Sequence, residues 1–150
     1  MKRLLLSAIL FCLLGATLFA QSPGEQPTVR FRAVDIFVDS GNKPLAVYQL
    51  EFAVTNGVAK IVGIEGGEHP AFREPPFYDP KAMQHERVII AAFSTESADK
   101  LPVGKTRVAT IHLQITGTAQ PRFEIRLTVV SDSKGYKIPA SVTAEERKTR

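Results

Sequence analysis

A two-residue period in the apolar positions constrains this chain more than any other feature. It is cleanest over Arg122 to Val130, where Phe123, Ile125, Leu127 and Val129 alternate with Arg122, Glu124, Arg126 and Thr128. Successive side chains of a strand point to opposite faces, so such a segment buries one face and wets the other. The same pattern recurs upstream. Val34, Ile36 and Val38 share a face within Arg30–Asp39, and Tyr48, Leu50, Phe52 and Val54 share one within Leu45–Val54. Over Lys105–Thr116 the spacing sends Ala109, Ile111, Leu113 and Ile115 inward and Val108, Thr110, His112 and Gln114 outward.

Three further strands complete the set. Ala59–Ile64 follows Asn56-Gly57, a dipeptide that tolerates positive φ and signals a hairpin. Arg87–Phe93 is apolar on both faces and reads as a central strand. Tyr136–Thr143 contains Pro139, which points to an edge or a bulge. No segment sustains a helical period. The expected fold class is therefore all-β, a two-sheet jelly-roll or immunoglobulin-like sandwich of roughly seven to nine strands.

The ends differ from the middle. Met1-Lys2-Arg3, an apolar run from Leu4 to Leu14 and the small residues Gly15 and Ala16 have the layout of a secretory signal peptide, residues 1–20, cleaved after Ala20. The run is shorter than the roughly 20 residues of a membrane span, so no stable anchor is expected after cleavage. Cys12, the single cysteine, lies inside the run and not at its end, where a lipid-modified cysteine would sit. Cleavage would leave no thiol and no disulfide. The expected location is periplasmic or extracellular. Residues 21–29 read as a flexible lead-in, residues 30–143 as the sandwich, and residues 144–150 as a charged, frayed tail.

Charge excludes one partner class. The formal net charge is +4, but between residues 21 and 144 there are 14 Lys plus Arg against 13 Asp plus Glu, interspersed along the strands. No basic stripe is present to neutralise a phosphate backbone, so nucleic acid is not an expected partner.

Catalytic and cofactor chemistry finds no foothold in the motifs. His69, His85 and His112 are not at metal-ligand spacing. No serine sits in a G-x-S-x-G elbow. Asp39, Glu65, Glu68 and Asp79 read as loop solvation. Val103-Gly104-Lys105-Thr106 lacks the glycine that a phosphate loop needs five residues earlier, where Asp99 stands. The expectation is no enzyme, no metal and no cofactor.

One segment is specialised. Glu68 to Pro80 packs three aromatics, an arginine and rigid prolines into thirteen residues. Aromatics and Arg dominate binding hot spots, and proline lowers the cost of ordering a loop. His69, Phe72, Arg73, Phe77 and Tyr78 are the candidate binding residues. The competing reading makes Phe72, Phe77 and Tyr78 a plug over one end of the sandwich.

From Val34 to Val142 the sequence resembles the cohesin domain family. The resemblance rests on Val34–Val38, on Ala46–Val54, on Ala59–Gly67, on Arg87–Ser94 ending Phe93-Ser94, and on Gly104–Gly117 with its Ala109-Thr110-Ile111 core. It implies a nine-strand jelly roll without catalytic activity that binds another exported protein, typically a dockerin module, on one sheet face. The chain departs from the family pattern at Thr55-Asn56-Gly57 and carries a single copy of the domain. The alternative function is a carbohydrate-binding module for an extracellular polysaccharide. It is disfavoured by the absence of Trp and by an inward Tyr48, which leave Tyr78 and Tyr136 as platforms.

Overall fold

The period-two segments form eight strands in a computed structural model that describes residues 27–147. They are β1 (Val29–Asp39), β2 (Val47–Asn56), β3 (Val58–Gly66), β4 (Phe77–Tyr78), β5 (Arg87–Phe93), β6 (Lys105–Thr116), β7 (Arg122–Ser131) and β8 (Ser141–Glu146). One sheet has the order β3-β6-β1-β8 and the other β4-β5-β2-β7. Every strand pairing is antiparallel. The chain is an all-β, two-sheet sandwich. The signal-peptide segment and most of the lead-in lie outside the described residues.

Each sheet turns its apolar stripe inward. Val34, Ile36 and Val38 of β1 and Ile111, Leu113 and Ile115 of β6 face Tyr48, Leu50 and Phe52 of β2 and Ile90 of β5, all with no exposed surface. Fully burying one such aliphatic or aromatic side chain stabilises the fold by about 1.5–3 kcal/mol. Tyr48 also carries a hydroxyl, and a bulge supplies its partner. The β1–β6 register shifts at Ile36/Phe37, where Ala109 and Arg107 are the partners and Val108 is extra. The Tyr48 hydroxyl donates to the Val108 carbonyl at 3.1 Å. Burial pushes the Tyr48 pKa up, so this phenol stays protonated.

Bulges also correct two assigned faces. Val108 is expected outward but is fully buried, because the extra residue shifts the phase of β6. Val129 is expected inward but is 45% exposed, and Val130 takes its place in the core. The cause is the second shift, at Gln49/Leu50, where Val129 and Leu127 are paired and Thr128 is left over.

Three further expectations are revised. Asn56-Gly57 does not form a hairpin. Gly57 has the positive φ of +81°, but both edges of β2 are already taken by β5 and β7, so the chain crosses to the other sheet and pairs β3 with β6. β5 is not buried on both faces. Its burial alternates, and Ile89 and Phe93 lie exposed on the outer face of the sheet, which no further layer among the described residues covers. Residues 144–147 are not frayed. Ala144, Glu145 and Glu146 pair with Ile36, Asp35 and Val34, and the Arg147 amide donates to the Ala33 carbonyl at 2.8 Å.

That last strand is pinned by charge. Arg147 grips Asp35 with two nitrogens, at 2.5 and 3.1 Å. Thr110 donates to the same carboxylate at 2.7 Å. Partial burial pushes the Asp35 pKa up, but the hydrogen bonds from Arg147 and Thr110 outweigh it and hold the carboxyl below its usual value. Arg32 pairs with Glu146 and Lys105 with Glu145 along the same strand. The expected last strand, Tyr136–Thr143, is displaced: β8 begins only at Ser141, so Pro139 lies outside it, and β8 forms a sheet edge.

Candidate functional site

The proline-rich segment crosses one end of the sandwich, from β3 to β4. Its approach is close enough to require glycine. A Cβ on Gly66 would lie 1.9 Å from the Arg73 carbonyl oxygen, and one on Gly67 would lie 2.2 Å from that of Arg107. Two 3-10 turns, Pro70–Phe72 and Pro80–Ala82, each start at a proline behind a side-chain cap. The His69 Nδ1 accepts from the Ala71 amide at 3.2 Å, and Asp79 accepts from the Lys81 amide at 2.9 Å.

The structure divides the five candidate residues. Phe72 is 2% exposed and meets Tyr48 edge-on, with ring centroids 5.3 Å apart. Tyr78 pairs with Ile90 and packs half-buried against the core. Both belong to the plug. His69 is occupied as a cap, and Arg73 is exposed. Phe77 alone among the aromatics of this loop stands on the outside, 69% exposed. Its ring stacks on Phe93, 6.0 Å between centroids and 9° from parallel.

Phe77 and Phe93 head a continuous face. Cross-strand partners share a side of the sheet, so register places residues in rows. One row runs Phe77, Ala91, Gln49, Val129, and the next Phe93, Val47, Ser131. Ile89, Glu51 and Arg126 form the row on the other side. The outer surface of this sheet is thus apolar at the end near Phe77 and charged at the other. At the charged end Glu51 receives Arg87 at 2.7 Å and Arg126 at 2.9 Å. Hydrogen bonds from Arg87 and then Arg126 hold the Glu51 carboxyl at a pKa of about 2. A shallow depression of about 530 Å³ lies there, lined by Glu51, Ala53, Glu124, Ile125 and Arg126.

The alternation of β2 puts Val47 on the outer face, but Phe93, Ile89 and Val129 are not legible as surface residues from the sequence. Phe93 and Ile89 lie in a run that reads as doubly buried, and Val129 is displaced by a bulge that spacing does not reveal.

The histidines and carboxylates hold structure in place. The Nε2 of His112 lies 3.1 Å from Glu65, and the His85 carbonyl accepts from the Ile61 amide at 2.8 Å. Asp39 accepts from the Gly41 amide at 2.9 Å and Glu68 from the Arg107 amide at 3.2 Å. Among the described residues no three His, Cys, Asp or Glu side chains come together as a metal site.

No family model, no curated protein and no solved structure matches the chain.

Proposed function

We propose that the chain is an exported, non-catalytic binding module, and that it recognises another exported protein through the outer face of the β4-β5-β2-β7 sheet. The observation that carries this reading is the stacked, solvent-exposed Phe77–Phe93 pair, at 69% and 60% exposure. Val47, Ala91, Ile89 and Val129 extend the apolar surface around it. An outward aromatic pair costs solubility and contributes nothing to the core, whereas rigid aromatics are the groups that anchor protein interfaces. The Glu51–Arg87–Arg126 cluster bounds the apolar end with charge, the arrangement of a polar rim beside an apolar centre. A dockerin-type partner rests on the sequence resemblance alone, since one sandwich architecture hosts many unrelated functions.

The test compares the wild-type domain with a Phe77→Ser/Phe93→Ser variant, each immobilised and exposed to the exported proteins of its own source. The wild type should retain a stoichiometric partner, and the variant should lose it at unchanged thermal stability. Equal retention by both would refute the assignment of the face. Retention of the wild type on insoluble polysaccharide, lost in the variant, would replace the protein partner with a glycan.

A further inference from the structure

We propose that the domain pairs with a second copy of itself along the free edge of β7, which would join two β4-β5-β2-β7 sheets into one sheet of eight strands. β7 ends its sheet. Only its last residues are covered, by the Ser131–Lys137 bridge and by the Ile138 amide donating to the Val130 carbonyl. Arg122 to Val129 is left as an open edge, and an open edge is a template for another strand.

The backbone says which residues would pair. The Val54 amide donates to the Glu86 carbonyl, so even-numbered residues in this part of β2 turn their amides toward β5. Glu51 and Ala53 therefore bond toward β7, and their partners Arg126 and Glu124 answer them. Alternation leaves the backbone groups of Phe123, Ile125 and Leu127 pointing out of the sheet.

Side-chain charge and strand overlap then select the register. An antiparallel pair of identical strands has a two-fold axis through one residue. Centred on Ile125, it sets Ile125 opposite its copy, Phe123 opposite Leu127, and Glu124 opposite Arg126 twice over. Centred on Glu124 or on Arg126, it sets like charges face to face, which is unfavourable. A centre on Phe123 would also set Glu124 opposite Arg122, but it would place Leu127 opposite Ala119, outside the strand. The Ile125 centre also covers Phe123, Ile125 and Leu127, inner-face residues that the single sandwich leaves half-buried. Both members of the charged pair can reach across. Among the described residues Glu124 makes no ion pair, and the Arg126 side chain is 72% exposed beside Glu51, which keeps Arg87 as a second partner.

The experiment uses residues 21–150, which contain all eight strands of the described residues, in sedimentation velocity over a concentration series. The wild type should dimerise. Glu124→Arg alone, or Arg126→Glu alone, should weaken the dimer by about tenfold or more, since each places like charges opposite one another at two positions. An equimolar mixture of the two variants should recover the wild-type affinity. In the mixed dimer the introduced arginine of one copy meets the introduced glutamate of the other, and the native Arg126 of the first meets the native Glu124 of the second. The recovery also shows that both variants are folded. A monomer at about 100 μM, a concentration where any affinity tighter than that is visible, would overturn the proposal. So would a dimer indifferent to both reversals, which would place the contact on another face.

Discussion

Phe72 and Phe77 stand five residues apart in one proline-rich stretch, yet the fold gives them opposite roles, and substitution to alanine should separate them. Phe72 is 2% exposed and rests edge-on against Tyr48 at the end of the core. Truncating a buried phenylalanine costs about 3–5 kcal/mol, the lost burial plus the cavity left behind. The aromatic contact contributes about 0.5–1.5 kcal/mol within that total. For a domain of this size 1 kcal/mol corresponds to a shift of about 4 °C, so Phe72→Ala should lower the melting midpoint by about 12–20 °C. Phe77 is 69% exposed, and its one aromatic neighbour, Phe93, is 60% exposed. Phe77→Ala should cost no more than about 1 kcal/mol, a shift of about 4 °C or less. Urea titration of the two variants against wild type checks both figures, with an unchanged slope as evidence that the denatured state is not altered. Equal losses in the two variants, in either direction, would refute the division of this loop into plug and exposed face.

Two further outcomes follow from the geometry. Gly67→Ala should destabilise by about 3 kcal/mol, because its Cβ would meet the Arg107 carbonyl at 2.2 Å, and backbone does not move aside as a side chain does. Gly41→Ala, at φ +58° with nothing within 4 Å, should cost only about 1–2 kcal/mol of left-handed strain. Comparison of the two melting midpoints distinguishes close approach from conformation. The third outcome concerns acid. The Asp35 pKa lies below its ordinary 3.8 when folded, so the Asp35–Arg147 contact stabilises fully above that value and is lost as pH falls through the lowered one. The melting difference between wild type and Arg147→Gln should therefore be constant near neutrality and shrink toward zero in acid. A difference that persists once Asp35 is protonated would refute the assignment.

The strand faces are legible wherever the strand itself carries no extra residue at a bulge. Val34, Ile36 and Val38, and Tyr48 to Val54, fall as their spacing predicts. The misplaced residues share a cause. Val108 and Val129 each lie beside a bulge, and a bulge is a property of two strands in register, not of either sequence alone. Asn56-Gly57 makes the turn its residues predict but not the hairpin, because its conformation is local while the choice of partner strand is not. The composition of β5 points Ile89 and Phe93 to the core, but alternation turns them to the outer face of the sheet, which no second layer among the described residues covers. The loop from Glu68 to Pro80 stands out in the sequence as specialised, but which of its aromatics faces water depends on how the chain threads over the end of the sandwich. The charge of the C-terminal residues through Arg147 suggests solvent, when that charge is what binds them to Arg32, Asp35 and Lys105.

The position of β1 has a kinetic consequence. Among the described strands the first lies between β6 and β8, the sixth and the eighth, so it stays without either neighbour until residues beyond Lys105 have emerged. Pairings such as Val34 with Glu146 span nearly the whole domain, and closing so long a loop before any reward arrives makes assembly slow. A nascent chain ending near residue 100 would hold β2 and β5 together but leave Val34, Ile36 and Val38 with no strand beside them. Until β6 has emerged, the apolar stripe of β1 has no sheet to join.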